Sequence, residues 1–289
     1  MKSINPQTLA IAITATLIMA LVPILIKSVN ANVFTLGLVR LGIAVFFISL
    51  FLLYKNAFGK LNSLGDWFDL FAIGLVFGLH WLTYFLSIKL STASIGVIGV
   101  STFGIHLLML NWLVKGQRAT VFELVAVVVC FLGCLLVVPE FSLANSNTIG
   151  LLLGVLSGFL YACLPLLHQR SYRIPTLTRA WGQFVFALVV FLPFSAQTQW
   201  QLTPVDWLKL LVLGLLCTLV AHSMWVKAST ELPGVVTGLV YYLYIPIAII
   251  LSAVFLDENI TVPVAVGGIL ILSANVAQTI HSWRTYISK

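Results

Sequence analysis

Histidine, tyrosine and tryptophan side chains recur in the middle of long apolar stretches of this sequence. His80 and Tyr84 are four residues apart with Trp81 beside them, and His222 and Trp225 form a similar group further along the chain. At helical spacings of three and four residues, such side chains share one face. Aromatic faces attract ammonium groups and stack on planar rings, and hydroxyls and imidazoles can bind a carboxylate or an amide. We predict a binding cavity for a small molecule, lined also by His106, Tyr241 and Tyr244.

Arg40 is the only arginine well inside an apolar stretch. Its guanidinium could bind the carboxylate of a small molecule, so Arg40 joins the predicted binding set. Two other placements stay open, because the side chain could instead extend to the end of its helix or bond to kinked backbone.

The elements that must position these side chains are long apolar segments. The 289 residues are 61% hydrophobic and 8% charged, with a mean hydropathy of +1.10. A soluble domain carries roughly 25% charged residues, so this chain could not cover an apolar core with polar surface. A helix crosses a bilayer with about 20 apolar residues. Ten such segments are predicted: 8–27, 32–54, 68–88, 92–114, 120–138, 148–168, 178–198, 207–226, 235–256 and 262–281.

The fold class that follows is an all-α integral membrane protein, with ten transmembrane helices in a single membrane domain over residues 1–289. Lysine and arginine concentrate in the connections on one side of the predicted bilayer, the side that also receives both termini. Because cytoplasmic connections carry the excess of these residues, we predict cytoplasmic termini and a multi-pass protein of the cell inner membrane. The net charge of +7 reports this orientation and not a nucleic-acid partner.

The two halves of the chain repeat one another. Three pairs are related by an offset of 140 to 142 residues: Pro23 and Pro165, Asp66-Trp67 and Asp206-Trp207, and His80 and His222. We predict a first repeat of about residues 1–141 and a second of about 142–289. Each repeat has five segments, and an odd number turns the second copy upside down in the membrane, which places a binding site between the halves.

Pro23 and Pro165 would bend the first helix of each repeat, since proline removes a backbone hydrogen bond and kinks a helix. We predict that they act as hinges. The alternative is a pair of tolerated kinks that only improve packing.

In the order and spacing of several short motifs, the chain resembles EamA-type members of the drug/metabolite transporter superfamily. The matching residues are Leu38-Val39-Arg40, Ile88-Lys89-Leu90-Ser91-Thr92-Ala93, Leu256-Asp257-Glu258-Asn259-Ile260-Thr261 and Gly267-Gly268-Ile269-Leu270-Ile271. The resemblance implies a secondary transporter with a central cavity, often an exporter of amino acids, other metabolites or drugs. One departure is clear, because Gly116-Gln117-Arg118 stands where the family has a Gly-Glu turn.

The predicted function is export of a small metabolite by alternating access, with an amino acid, including aromatic ones, or an amine as cargo and no cofactor or metal. Coupling to protons through histidine and facilitated diffusion both remain open. Within the same fold, a nucleotide-sugar carrier or a multidrug or cationic-amine carrier is the alternative.

From another class of protein, we considered an intramembrane enzyme. The sequence holds no His-Glu-x-x-His and no Gly-x-Ser-x-Gly motif, so no enzyme activity is predicted. Small residues in the last segment, Gly267, Gly268 and Ala274, permit close helix approach. They could serve packing within the bundle or a homodimer.

Overall fold

The computed structural model describes residues 5–61, 63–116, 120–138, 140–232 and 234–287, and within these ranges the regular structure is helical throughout. Residues 117–119, which contain part of the departure from the family's Gly-Glu turn, lie outside them. The helices are α1 (Pro6–Met19 and Val22–Ser28), α2 (Val33–Tyr54), α3 (Leu64–Leu90), α4 (Ala93–Val100 and Phe103–Lys115), α5 (Val121–Val137), α6 (Ser146–Arg170), α7 (Thr176–Phe191, then a 3₁₀ turn Leu192–Gln197), α8 (Pro204–Val212, a π segment Leu213–Val220, then Ala221–Glu231), α9 (Gly234–Tyr242 and Tyr244–Leu256) and α10 (Val262–Ile287).

These helices confirm the all-α membrane fold with ten helices. In the described part of the chain, nine are long and apolar enough to cross a bilayer, and α5 is a shorter apolar helix of 17 residues. Large apolar side chains such as Phe46, Leu53 and Leu113 point outward from the bundle. In lipid such side chains are in a matching solvent, whereas a water-soluble protein rarely exposes so large an apolar surface.

Three helices are broken near their middles. The break in α1 precedes Pro23, which has no N–H to bond the carbonyl of Met19, and the break in α9 at Leu243 precedes Pro246. The break in α4 contains no proline. There the hydroxyls of Ser101 and Thr102 donate to the carbonyls of Ile98 and Gly99, at 2.6 and 2.8 Å.

Helix contacts follow the inverted duplication. α6 packs against α3 and α4, and its counterpart five helices away, α1, packs against α8 and α9. In the same way the contact of α3 with α7 corresponds to that of α8 with α2, while α5 packs against α10. An exchange of each helix for the one five places along therefore preserves these contacts. Because five is odd, the exchanged helices run in opposite directions through the bilayer.

Small residues of α10 pack inside the bundle. A Cβ on Gly133 of α5 would lie 2.8 Å from the carbonyl oxygen of Gly267, and one on Gly268 would lie 3.3 Å from Ile98. Ala274 is buried as well. Gly267 therefore allows close contact of α10 with α5, and Gly268 close contact of α10 with α4, within one chain.

Candidate functional site

A small cavity lies where the two halves meet. Its volume is about 40 Å³, and seven helices contribute its lining: Met19, Val22, Arg40, His80, Trp81, Tyr84, Phe85, Val100, Tyr161, His222, Tyr241 and Tyr244. All three helix breaks reach it. Met19 and Val22 flank the break in α1, Val100 precedes the break in α4, and the two tyrosines of α9 flank Leu243. Backbone that departs from the α-helix is tolerated at membrane depth where it is enclosed by protein or lines such a cavity.

Tyrosines from both halves form one wall of the cavity. The hydroxyls of Tyr84 on α3 and Tyr244 on α9 are hydrogen-bonded to each other. The ring of Tyr241 stacks on that of Tyr161, with 5.3 Å between centroids, and lies 5.5 Å from that of Trp225. This wall offers aromatic faces and phenolic hydroxyls to a bound molecule.

The two repeat-related histidines both lie close to the ring of Phe77. Ring centroids of His80 and His222 are 6.1 and 5.3 Å from that of Phe77. Nδ1 of His80 is 3.0 Å from the carbonyl oxygen of Ser157 and 2.7 Å from its hydroxyl. A carbonyl only accepts, so a neutral His80 with its proton on Nδ1 donates to Ser157 and keeps Nε2 as an acceptor.

Arg40 is completely buried, and its guanidinium carbon lies 4.1 Å from the centre of the Trp81 ring. Nε donates to the hydroxyl of Thr218 on α8 at 3.1 Å, while Nη1 and Nη2 have no hydrogen-bond partner among the described residues. The side chain therefore neither extends to the end of its helix nor bonds to kinked backbone.

Seven of the nine predicted binding residues line the cavity: Arg40, His80, Trp81, Tyr84, His222, Tyr241 and Tyr244. Trp225 stands behind this wall, against Tyr241. His106 lies elsewhere, 3.5 Å from the Thr102 hydroxyl and with its ring 5.8 Å from that of Phe159. The break in α4 places Val100 and His106 in different segments of that helix, both of which pack against α6.

Sequence reasoning missed Tyr161 and Ser157, and it grouped Thr218 with His222 and Trp225 on one helix face without assigning it a contact with Arg40. Tyr161 could have been found from the repeat, because it stands four residues before Pro165, as Met19 stands four before Pro23, and both line the cavity. No local signal marks Ser157, since a buried serine often only bonds to its own helix.

The two prolines sit in different backbone. Pro23 starts the second segment of a broken α1, whereas Pro165 lies inside an unbroken α6. Helices that correspond in the repeat thus differ in shape, as do α3, a regular α-helix, and α8 with its π segment.

Bonds between the halves close the molecule at one end, which we name the Glu258 end. The Glu258 carboxylate accepts from the backbone N–H groups of Ala93 and Ser94, at 2.6 and 3.0 Å, and from the Ser94 hydroxyl at 2.7 Å. Asp206 accepts from the N–H of Asn30 at 2.9 Å. The contact between Glu258 and Ala93 joins two of the motifs that carry the family resemblance. It also places a negative charge at the start of α4, which is favourable there.

The opposite end, named the Asp69 end, is closed by ion pairs between the halves. Arg173 donates through Nε to Asp66 and through Nη2 to Asp69, each at 2.7 Å, and Nε of Arg170 lies 3.2 Å from Asp69. The hydrogen bond to Asp66 in particular raises the pKa of Arg173. Both ends of the cavity are therefore shut in this conformation.

A larger groove of about 530 Å³ lies between α2 and α8. Its lining is apolar apart from two indole N–H groups: Leu38, Val39, Gly42, Ile43, Trp200, Trp207, Leu208 and Leu211. Trp200 and Leu208 are exposed on the outside of the bundle, where the bilayer lies. No described residue of its lining carries a charge that could recognise a metabolite, so the central cavity is the candidate site.

Comparison with known proteins agrees with this arrangement. The model of the EamA-like transporter family matches the chain twice, over residues 7–138 and 148–276. A protein of Archaeoglobus fulgidus named "Uncharacterized transporter" is 26% identical over 253 residues, which are 83% of this chain and 85% of the relative. A protein of Pseudomonas aeruginosa named "Probable biotin transporter" is 24% identical over 210 residues, 69% of this chain and 73% of that one.

A crystal structure of a protein that is 16% identical shares the fold, with a TM-score of 0.69 over 96% of this chain and 97% of the other. The two family matches divide the chain into the same two halves that meet at the cavity. The chain therefore belongs to the EamA-like transporter family, within the drug/metabolite transporter superfamily, and is a membrane transporter.

Proposed function

We propose that this transporter exports a small metabolite across the cell inner membrane by alternating access through the central cavity. The observation that carries the proposal is the polar and aromatic cavity at the junction of two inverted halves, reached by the breaks of α1, α4 and α9. Inverted repeats supply two similar conformations, one open to each side, with the binding site between them.

The small volume of the cavity indicates that the two halves of the protein move apart when a metabolite binds. Ligand pockets typically measure about 300–1,000 Å³, and about 40 Å³ holds little more than a water molecule. The halves must separate to admit a metabolite. Each end is closed by only a few polar bonds between the halves, so one end can open while the other stays shut.

The candidate cargoes are amino acids, aromatic ones in particular, and amines, because the cavity presents aromatic faces, hydroxyls, imidazoles and one guanidinium. The relative named as a biotin transporter adds biotin, a monocarboxylate with a ring system, to the compounds worth testing. A nucleotide sugar is less well served, since among the described residues Arg40 is the only Lys or Arg in the cavity lining and a diphosphate needs more positive charge.

The test is uptake into liposomes that contain the purified protein. The panel comprises amino acids, biotin, polyamines and quaternary amines, each with and without a pH gradient. We expect saturable uptake of at least one compound in each condition, because facilitated diffusion needs no gradient. Failure to transport any member would contradict the proposed cargo classes, and uptake that requires the gradient would instead establish proton coupling.

A further inference from the structure

We propose that the cavity binds the carboxylate of an organic anion on Nη1 and Nη2 of Arg40, and that Thr218 holds the guanidinium in the orientation for binding. The inference rests on the transport function proposed above and names the class of its substrate. It selects organic anions over amines, which the aromatic lining alone would accept.

Arg40 has one guanidinium edge, formed by Nη1 and Nη2, that the described residues leave without hydrogen bonds. Nε is bonded to Thr218, one face of the guanidinium lies on Trp81, and Phe85 is 5.2 Å away. The two terminal nitrogens are buried and lack hydrogen-bond partners among the described residues. Because Arg40 itself lines the cavity, these donors are placed to receive a ligand. Two parallel N–H groups of a guanidinium match the two oxygens of a carboxylate.

The positive charge of Arg40 has no counterion among the described residues. All eight acidic residues of the sequence are described, and they lie at helix ends and in connections: Asp66, Asp69, Glu123, Glu140, Asp206, Glu231, Asp257 and Glu258. The ion pairs in the described structure join Asp66 and Asp69 to Arg170 and Arg173 only. Arg40 thus carries a buried positive charge without a carboxylate partner, which is costly to keep. An anion offsets this cost and a cationic amine adds to it.

Thr218 accepts the Nε–H of Arg40 and so orients the guanidinium. Its hydroxyl donates to the carbonyl of Leu213, five residues earlier, at 2.7 Å. With that proton committed, the Thr218 oxygen can only accept from Nε of Arg40. Both Leu213 and Thr218 belong to the π segment of α8, and such segments occur frequently at functional sites. The π segment therefore fixes the acceptor that orients Arg40.

This pair exists in one half only. At the 142-residue offset, Arg40 corresponds to Gly182 and Thr218 to Val76, which lies in the regular α3. Duplication alone does not account for the π segment, the threonine and the arginine, which occur together at one place. We read their coincidence as a built site.

The experiment uses four probes that share a phenyl group and a short carbon chain: 3-phenylpropionate, 3-phenylpropionamide, L-phenylalanine and phenethylamine. Binding to the full-length purified protein is measured as the shift of the thermal unfolding midpoint. Competition for the transport site is measured as inhibition, by each probe, of the uptake of a compound that the liposome panel shows to be transported. We expect the anion to bind best, phenylalanine next, and the amide and amine weakly.

Arg40→Gln should weaken binding of the anion about 10- to 100-fold and leave the amide unchanged, since the loss is that of a charged hydrogen-bonded pair. Thr218→Val keeps the shape of the side chain and should weaken only the anion, about 10-fold. Thr218→Ser should restore it. The matched control is Ser252→Ala, whose buried hydroxyl also bonds to its own helix, at the carbonyl of Ala248 at 2.8 Å.

The outcomes separate the two proposals. If the amine or the amide binds as well as the anion, or no anion stabilises the wild-type protein, the inference is overturned, whether or not transport occurs. If the anion stabilises the wild type but not Arg40→Gln, and no compound is transported, the anion site stands and the transport proposal fails. Thr218→Val with wild-type selectivity would remove Thr218 from the site.

Discussion

Buried polar side chains around the cavity differ in whether the protein satisfies them. His80 is bonded to Ser157, and Tyr84 to Tyr244, so these contacts hold α3 against α6 and α9. Satisfied networks of this kind specify one arrangement of helices. Arg40 differs, because its two terminal nitrogens remain without hydrogen-bond partners among the described residues. The satisfied side chains, such as His80 and Tyr84, hold the walls of the cavity in place, and the terminal nitrogens of Arg40 are available to a ligand.

Replacement of Arg40 by methionine should raise the stability of the unloaded protein. Replacement of even a paired buried charge by apolar side chains can raise stability by about 1–4 kcal/mol, and the charge of Arg40 has no counterion to offset its desolvation, while Thr218 keeps its bond to Leu213. We expect the midpoint of thermal unfolding in detergent to rise. A lower midpoint would mean that the Trp81 contact and the Thr218 bond outweigh the cost of the buried charge.

His80→Ala and Trp225→Ala should each impair transport without lowering expression. The first removes a polar group from the cavity wall, and the second removes the ring behind Tyr241. An aromatic pair contributes about 0.5–1.5 kcal/mol beyond its buried area, so we expect roughly 10-fold slower uptake for Trp225→Ala. Trp200→Ala, on the exposed groove, is the control. Uptake at the wild-type rate in both variants would remove the proposed site.

At the scale of helices, corresponding elements have different shapes. α1 is broken at Pro23 while α6 continues through Pro165, and α8 carries a π segment that α3 lacks. A cycle in which each half takes the shape of the other would convert a conformation open to one side into one open to the other.

Pro165→Ala should stabilise the conformation described here and slow transport. Proline inside a helix costs about 3 kcal/mol, and alanine would relieve this in an α6 that is already unbroken. The same substitution makes α6 harder to bend, and the transport cycle should therefore slow. The measurements are thermal unfolding and uptake rate, with Pro263→Ala in the first turn of α10 as control. Faster or unchanged uptake would argue that Pro165 only shapes packing.

At the scale of the whole molecule, the cavity is closed at both ends by bonds between the halves. Glu258 holds the start of α4 at one end, and Arg173 joins Asp66 and Asp69 at the other. Opening of one end breaks the hydrogen bonds of Glu258, and opening of the other breaks ion pairs in which the arginines are exposed and the carboxylates are buried. The excess of Lys and Arg predicts that the Asp69 end faces the cytoplasm.

Glu258→Gln and Asp69→Asn should expose the cavity to opposite sides of the membrane. The reporter is Val100→Cys, at the cavity, in a background without Cys130, Cys134, Cys163 and Cys217. Each variant loses a charge that joins the halves, so a membrane-impermeant thiol reagent should react faster in right-side-out vesicles for Glu258→Gln and in inside-out vesicles for Asp69→Asn. Faster labelling of both variants from one side would contradict the inverted arrangement.

Ten helices, their all-helical fold and the relation between the halves were predictable from the sequence, because each depends on local composition. About 20 apolar residues are needed to span a bilayer wherever they occur, and five segments per repeat impose inversion. Residue types at mid-helix depth also indicated most of the cavity lining, because the repeat brings His80 and His222 to the same depth.

Only the tertiary structure decided which side chains meet. Thr218 reaches Arg40 across 178 residues of chain, through a π segment that no local pattern announces. Tyr161 enters the cavity and His106 leaves it because helix breaks and helix rotation set the direction of each face. Those directions depend on contacts between distant segments, so their energies are absent from any single stretch of sequence.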